Sequence, residues 1–155
     1  MLLQLQTLTY EHDVFRTKTM KRAGAYFGYT YVAVGQQLEP APPIPEYLQA
    51  IINKAAPYYP SGIEFTQCIV QFYCEGSGIG WHSDAKVFGD CILGVSLASE
   101  ARLRFKPKGA KHPSYTVTAA PGSLYVMQGA ARWDYDHQIM PVKAPRYSLT
   151  FRSIA

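Results

Sequence analysis

The chain has 155 residues, enough for one domain around one core and too few for two. A hydrophobic content of 48%, with twelve tyrosines and seven phenylalanines, excludes a disordered chain. The net charge of +4 is mildly basic: compatible with a polyanionic partner, but below the usual range of a dedicated nucleic-acid binder.

Met1-Leu2-Leu3-Gln4-Leu5 is too short and too polar for a secretory leader, and no apolar run approaches the ~20 residues that span a bilayer. The three cysteines, Cys68, Cys74 and Cys91, lie in strand-like runs without a C-x-x-C pattern. Free thiols in a reducing compartment are expected, and with them a soluble cytoplasmic monomer. His12-Asp13 resembles a metal pair only on paper, because neighbours on an extended chain point in opposite directions.

Residues 15–34 interleave Arg16, Lys18, Lys21 and Arg22 with Tyr26, Phe27, Tyr29 and Tyr31. Cations among aromatics can hold phosphates and stack bases; the plainer reading is a solvated basic segment leading into a strand with inward aromatics. After the connector Pro40-Ala41-Pro42-Pro43, an apolar stripe of Ile44, Tyr47, Leu48, Ile51, Ile52 and Ala55 predicts a helix over 44–56 that lies against a sheet. Pro45 suits its first turn and Pro57 ends the pattern.

From residue 66 the chain reads as short strands divided by Gly and Pro. The runs are Gln67 to Tyr73, Cys91 to Leu97, Arg102 to Phe105, Tyr115 to Thr118, Ser123 to Met127 and Arg146 to Arg152. Such a series predicts a sandwich or barrel, jelly rolls being one closure. The expected organisation is a single mostly-β domain over 1–155. An N-terminal substrate-facing segment (1–40) and a supporting helix (44–56) would precede the β core (66–155).

Two features carry chemistry. His82 and Asp84, one residue apart after a Gly-rich turn, share a side if extended, and His137 follows far downstream. Two histidines and a carboxylate are the facial triad of non-haem Fe(II), and the lack of thiolates argues against structural zinc. Taken singly, either histidine would more often be a surface or hydrogen-bonded group. In the closing strand, Arg146, Ser148, Thr150 and Arg152 fall on one face and Tyr147, Leu149 and Phe151 on the other. Two guanidinium forks on an interior face suit a short dicarboxylate, whereas on an edge strand they would form a solvated basic face.

His82-x-Asp84, His137 and the closing Arg146-Tyr147-Ser148-Leu149-Thr150-Phe151-Arg152 together resemble the AlkB family of Fe(II)/2-oxoglutarate dioxygenases. Gln71 and Tyr73 stand eleven and nine positions before the first histidine, where that family carries a polar residue and a tyrosine. The resemblance implies a double-stranded β-helix, or jelly roll, with Fe(II) on His82, Asp84 and His137. It implies that Arg146, with Tyr73 and Ser148, takes the distal carboxylate of 2-oxoglutarate, and that Gln71 and Arg152 lie near the chelating one. The reaction implied consumes O2, releases succinate and CO2, and hydroxylates a C–H bond; a carbon on nitrogen then leaves as formaldehyde.

The implied substrate is an alkylated or modified base in single-stranded DNA or RNA, gripped by a basic N-terminal flap with Arg16, Lys18, Lys21 and Tyr26. Gln71 replaces the family's usual asparagine and Ser148 its asparagine or threonine, both still able to hydrogen-bond. Lys86 stands where repair members often carry an acid, and would repel a cationic methylated base. Asp84 to Asp90, Tyr26-Phe27-Gly28-Tyr29 and Val126-Met127-Gln128-Gly129 look more like the branch that hydroxylates wobble uridine in tRNA. The other readings are the same iron chemistry on a protein or small molecule, and a non-catalytic binding module.

Overall fold

The computed structural model describes residues 1–15, 18–32 and 37–155. A short helix α1 (Leu2–Gln6) is followed by strands β1 (Glu11–Phe15) and β2 (Lys18–Phe27), then by the hairpin of β3 (Tyr29–Val32) and β4 (Gln37–Pro40). Helix α2 (Glu46–Ala55) runs on into a 3-10 turn at Ala56–Tyr58. The remaining strands are β5 (Gln67–Tyr73), β6 (Ile79–His82), β7 (Phe88–Leu97), β8 (Ala101–Pro107), β9 (Tyr115–Ala119), β10 (Leu124–Gln128), β11 (Tyr135–Ile139) and β12 (Arg146–Ile154). A four-residue helix α3 (Ala130–Trp133) connects β10 to β11.

A six-stranded sheet, ordered β1-β2-β5-β12-β7-β10, faces a four-stranded sheet, ordered β6-β11-β8-β9, and every strand pair is antiparallel. This is the jelly roll expected from the sequence. The six predicted strands are all present, most of them longer by a residue or more. Residues 1–14, featureless as sequence, supply α1 and most of β1. The apolar stripe of α2 packs as expected: Leu48, Ile52 and Ala55 join Val70, Leu93, Leu149 and Phe151 on the outer face of the large sheet. The helix starts two residues later than the stripe implied, with Pro45 as an extended cap whose carbonyl accepts from Leu48 and Gln49.

Period-two alternation sorts the large sheet into two faces. On β12, Tyr147, Leu149 and Phe151 enter the helix-side core, and Ser148, Thr150 and Arg152 line a cavity between the sheets. On β2, Ala23, Ala25 and Phe27 are buried while Met20, Arg22 and Tyr26 line the cavity. Gly28, at φ +75°, turns the chain out of β2, and a Cβ there would strike the Thr66 carbonyl. A second apolar cluster, centred on Tyr73, Leu103, Ile139 and Val142, closes one end between the sheets. Among the described residues no helix is long and apolar enough to cross a membrane.

Candidate metal and 2-oxoglutarate site

The cavity encloses about 920 Å³, the size of a small-molecule site, and His82, Asp84 and His137 stand together on its wall. Their donor atoms lie within 4.8 Å of one another. Pairing of β6 with β11 sets His137 directly opposite His82, with ring centroids 4.2 Å apart, and Asp84 follows in the loop after β6. Two residues of separation therefore put the carboxylate beside an imidazole pair made by strand register. His82 Nδ1 lies 2.8 Å from the Gly80 carbonyl. A carbonyl only accepts, so Nδ1 carries the proton and Nε2 keeps its lone pair for a metal. The His12 ring lies far from this set in the chain and contacts the Met20 carbonyl at 3.0 Å.

Arg152 holds Asp84 with two bonds, Nη2 to Oδ1 at 3.2 Å and Nε to Oδ2 at 3.4 Å. Its Nη1 donates to Gln67 Oε1 at 3.0 Å, and its guanidinium lies 4.8 Å over the Phe88 ring. Burial alone would raise the Asp84 carboxyl, but Arg152, His137 and His82 outweigh it and hold the group down at about 2. Burial, reinforced by the neighbouring His82, pushes His137 down to about 4. Both groups are thus in their ligating forms at neutral pH.

Arg146 lies at the far end of the same strand face and is fully buried. Its Nε donates to Ser96 Oγ at 2.9 Å and its guanidinium lies 5.1 Å from the Tyr73 ring centroid. Nη1 and Nη2 have no hydrogen-bond partner among the described residues. A dry guanidinium with two unanswered nitrogens is strongly unfavourable unless an anion joins it. Burial holds the Tyr73 phenol well above its ordinary range against the pull of Arg146, so it stays a neutral donor, here to Gln71 Oε1 at 3.1 Å. The donor set fits Fe(II), and the orphaned Arg146 nitrogens fit a carboxylate of a small diacid.

The sequence-predicted residues divide. His82, Asp84, His137, Gln71, Ser148, Arg152 and Tyr26 line the one cavity, with Arg146 and Tyr73 buried beyond it. Lys21 does not join them: it is exposed on the opposite side of β2, and Arg22 occupies the wall instead. Lys86 is exposed in the loop after Asp84 and is not among the lining residues. Arg16 lies outside the described residues, and Lys18 opens β2.

Sequence reasoning passed over Gln67, which anchors Arg152, and Arg132, which is 2% exposed. Arg132 gives its guanidinium to four carbonyls, those of Asp84 and Ala85 in the loop after β6 and of Phe88 and Gly89 at the start of β7, at 2.8–3.2 Å. Ser83 Oγ donates to Asp136 Oδ1 at 2.7 Å, tying the same loop to β11.

A jelly roll enclosing two histidines and a carboxylate defines the architecture of a non-haem iron oxygenase. A family model described as the 2OG-Fe(II) oxygenase superfamily matches residues 4–152. The chain belongs to that superfamily and is of the AlkB-like type, whose chemistry uses Fe(II), 2-oxoglutarate and O2. Among its relatives is the uncharacterized protein L905 of Acanthamoeba polyphaga mimivirus, 32% identical over 123 residues. That match covers 72% of this chain and 59% of the viral protein. The RNA demethylase ALKBH9B of Arabidopsis thaliana is 27% identical over 167 residues, covering 98% of this chain and 33% of the plant protein. The solved structure of OsALKBH1 superposes with a TM-score of 0.76 at 16% identity, over 97% of this chain and 87% of that one. The chain therefore spans between a third and three fifths of the length of these two sequence relatives.

Proposed function

We propose that the chain is a dioxygenase that oxidises an alkylated or modified base in single-stranded nucleic acid. The observation that carries it is the pairing of three convergent metal donors with a buried, unanswered guanidinium on one strand face. In this reading His82, Asp84 and His137 hold Fe(II). Arg146, with Ser148 and Tyr73, takes the distal carboxylate of 2-oxoglutarate, and Gln71 and Arg152 lie beside the other carboxylate. Held there, the metal and cosubstrate would supply the oxygen-activating chemistry, with 2-oxoglutarate leaving as succinate and CO2.

The residues of the chain provide geometry and dryness. Asp84 is ionised and His137 neutral at working pH, so neither must shed a proton to bind metal. Arg152 fixes both carboxylate oxygens, leaving Asp84 little freedom to rotate. Phe88, Phe105, Tyr31 and Trp81 give the cavity wall an aromatic lining that would limit water around a bound base. Met20, Arg22 and Tyr26 make the N-terminal side of the same cavity, which has room for an extruded base. The name of the plant relative, an RNA demethylase, supports a nucleic-acid substrate.

Lys86 bears on which base. Exposed to solvent and away from the cavity wall, its charge is screened, so it opposes a cationic lesion less than its position in the sequence implied. Methylated adenine or cytosine thus stands beside modified uridine as a substrate, and a cytoplasmic site of action fits the free thiols. The test is succinate release with Fe(II) and 2-oxoglutarate over methylated single-stranded oligonucleotides and tRNA, with mass spectrometry of the bases. Loss of a methylene marks demethylation and gain of an oxygen marks hydroxylation. Turnover coupled only to peptides or small metabolites would overturn the reading.

A further inference from the structure

The outer face of the four-stranded sheet carries charge that the cavity does not use. On β8, Leu103 and Phe105 turn inward to the cavity, so Arg102, Arg104 and Lys106 turn outward in a single row. Strand register places Thr118 beside Arg102, and Thr116 beside Arg104. On the other side Gln138 lies beside Arg104 and Asp136 beside Lys106. Among the described residues none of these three cations is within 4.0 Å of a carboxylate; the ion pair found there is Arg152–Asp84. Asp136 is engaged by Ser83, and Glu100 and Asp134 lie beyond the ends of β8 and β11. The row ends at the cavity: Lys106 Nζ sits 4.9 Å over the ring of Trp81, and Trp81 is part of the cavity wall.

We propose that Arg102, Arg104 and Lys106, with Thr116 and Thr118, form a phosphodiester track that holds the strand flanking the target base. The inference rests on the nucleic-acid reading above. Alternate residues on a strand repeat about every 6.6 Å. That repeat is comparable to the spacing of successive phosphates in an extended single strand. The row is one residue wide, which suits one strand rather than the two backbones of a duplex. Threonine hydroxyls beside the guanidiniums add neutral donors to phosphate oxygens. At the end of the row Trp81 offers an aromatic face on which a base next to the target can stack. An acidic protein surface would also meet the charge, but it would not need the aromatic step into the cavity.

The test uses the iron-loaded protein and its Arg102→Gln/Arg104→Gln double variant, both side chains lying outside the metal and cosubstrate machinery. Anisotropy of a fluorescein-labelled oligothymidylate of about 12 nucleotides is followed against salt. Removing two single-strand phosphate contacts should lower the slope of log affinity against log salt by about 1.4. KM for a methylated oligonucleotide should rise severalfold, with kcat and with KM for the matching free nucleoside unchanged. Arg102→Lys/Arg104→Lys, which keeps the charge, should retain the slope. Equal slopes and equal KM values in the Gln variant would overturn the track and leave the substrate reading standing. Failure of the parent protein to act on any oligonucleotide or nucleoside would sink both. Binding of polyglutamate or phosphatidylserine vesicles, with none of the oligonucleotide, would assign the face to another partner and overturn the proposal.

Discussion

Two arginines on the same face of β12 live in opposite circumstances. Arg152 is saturated by the protein, with Asp84, Gln67 and the Phe88 ring taking up its fork. Among the described residues Arg146, six positions earlier and more deeply buried, is answered by Ser96 at Nε alone. An identical side chain on an identical strand face is thus satisfied by the protein at one position and left with two unanswered nitrogens among the described residues at the other. The difference lies in what the neighbouring strands bring: β5 and the loop after β6 offer Arg152 oxygen atoms, whereas β5 offers Arg146 an aromatic ring. A buried charge left with free donors marks where a ligand completes the fold.

The contrast can be broken most severely at its metal end. Asp84→Ala removes the acceptor of Arg152 and one of three donors at once. Succinate release should fall to background, as it should with excess chelator, and iron titration should show no stoichiometric binding. Next come the two arginines themselves. Arg146→Ala should raise KM for 2-oxoglutarate on the order of 10- to 100-fold, the loss of a charge-assisted bond, with iron affinity unchanged. Arg152→Ala should do the reverse in emphasis, weakening iron by about 10- to 100-fold as its carboxylate loses orientation. Equal losses of both ligands in both variants would erase the distinction.

Ser96→Ala sharpens the comparison more gently, freeing the Nε of Arg146. A rise of about 2- to 10-fold in KM for 2-oxoglutarate is expected, from one neutral acceptor. The smallest effect belongs to a control. Half-exposed Cys74 should react with a thiol reagent at neutral pH and leave iron and 2-oxoglutarate binding as they were. Burial pushes the Cys68 thiol far up, so it should stay unlabelled until the protein unfolds.

The strand face of β12 was legible because its alternation is strict and its residues are unambiguous. The triad was legible because His-x-Asp and a distant histidine met a matching arginine pair. Other parts left no local trace. On β2 both parities carry cations and aromatics, so only pairing with β5 decides that Arg22, and not Lys21, faces the cavity. The carbonyls that Arg132 serves are 43 to 48 residues away, and its four-residue helix has no periodicity to read. The β3–β4 hairpin and β11 are likewise too short and too polar for alternation to announce them.

The carbonyl bonds of Arg132 have a consequence for the life of the protein between turnovers. The segment that presents Asp84 is fastened by a side chain outside the metal-donor set, so its shape should not depend on iron. Amide exchange in residues 84–89 should be as slow without iron as with it. An iron-free protein would then keep this segment ready for metal rather than having to rebuild it.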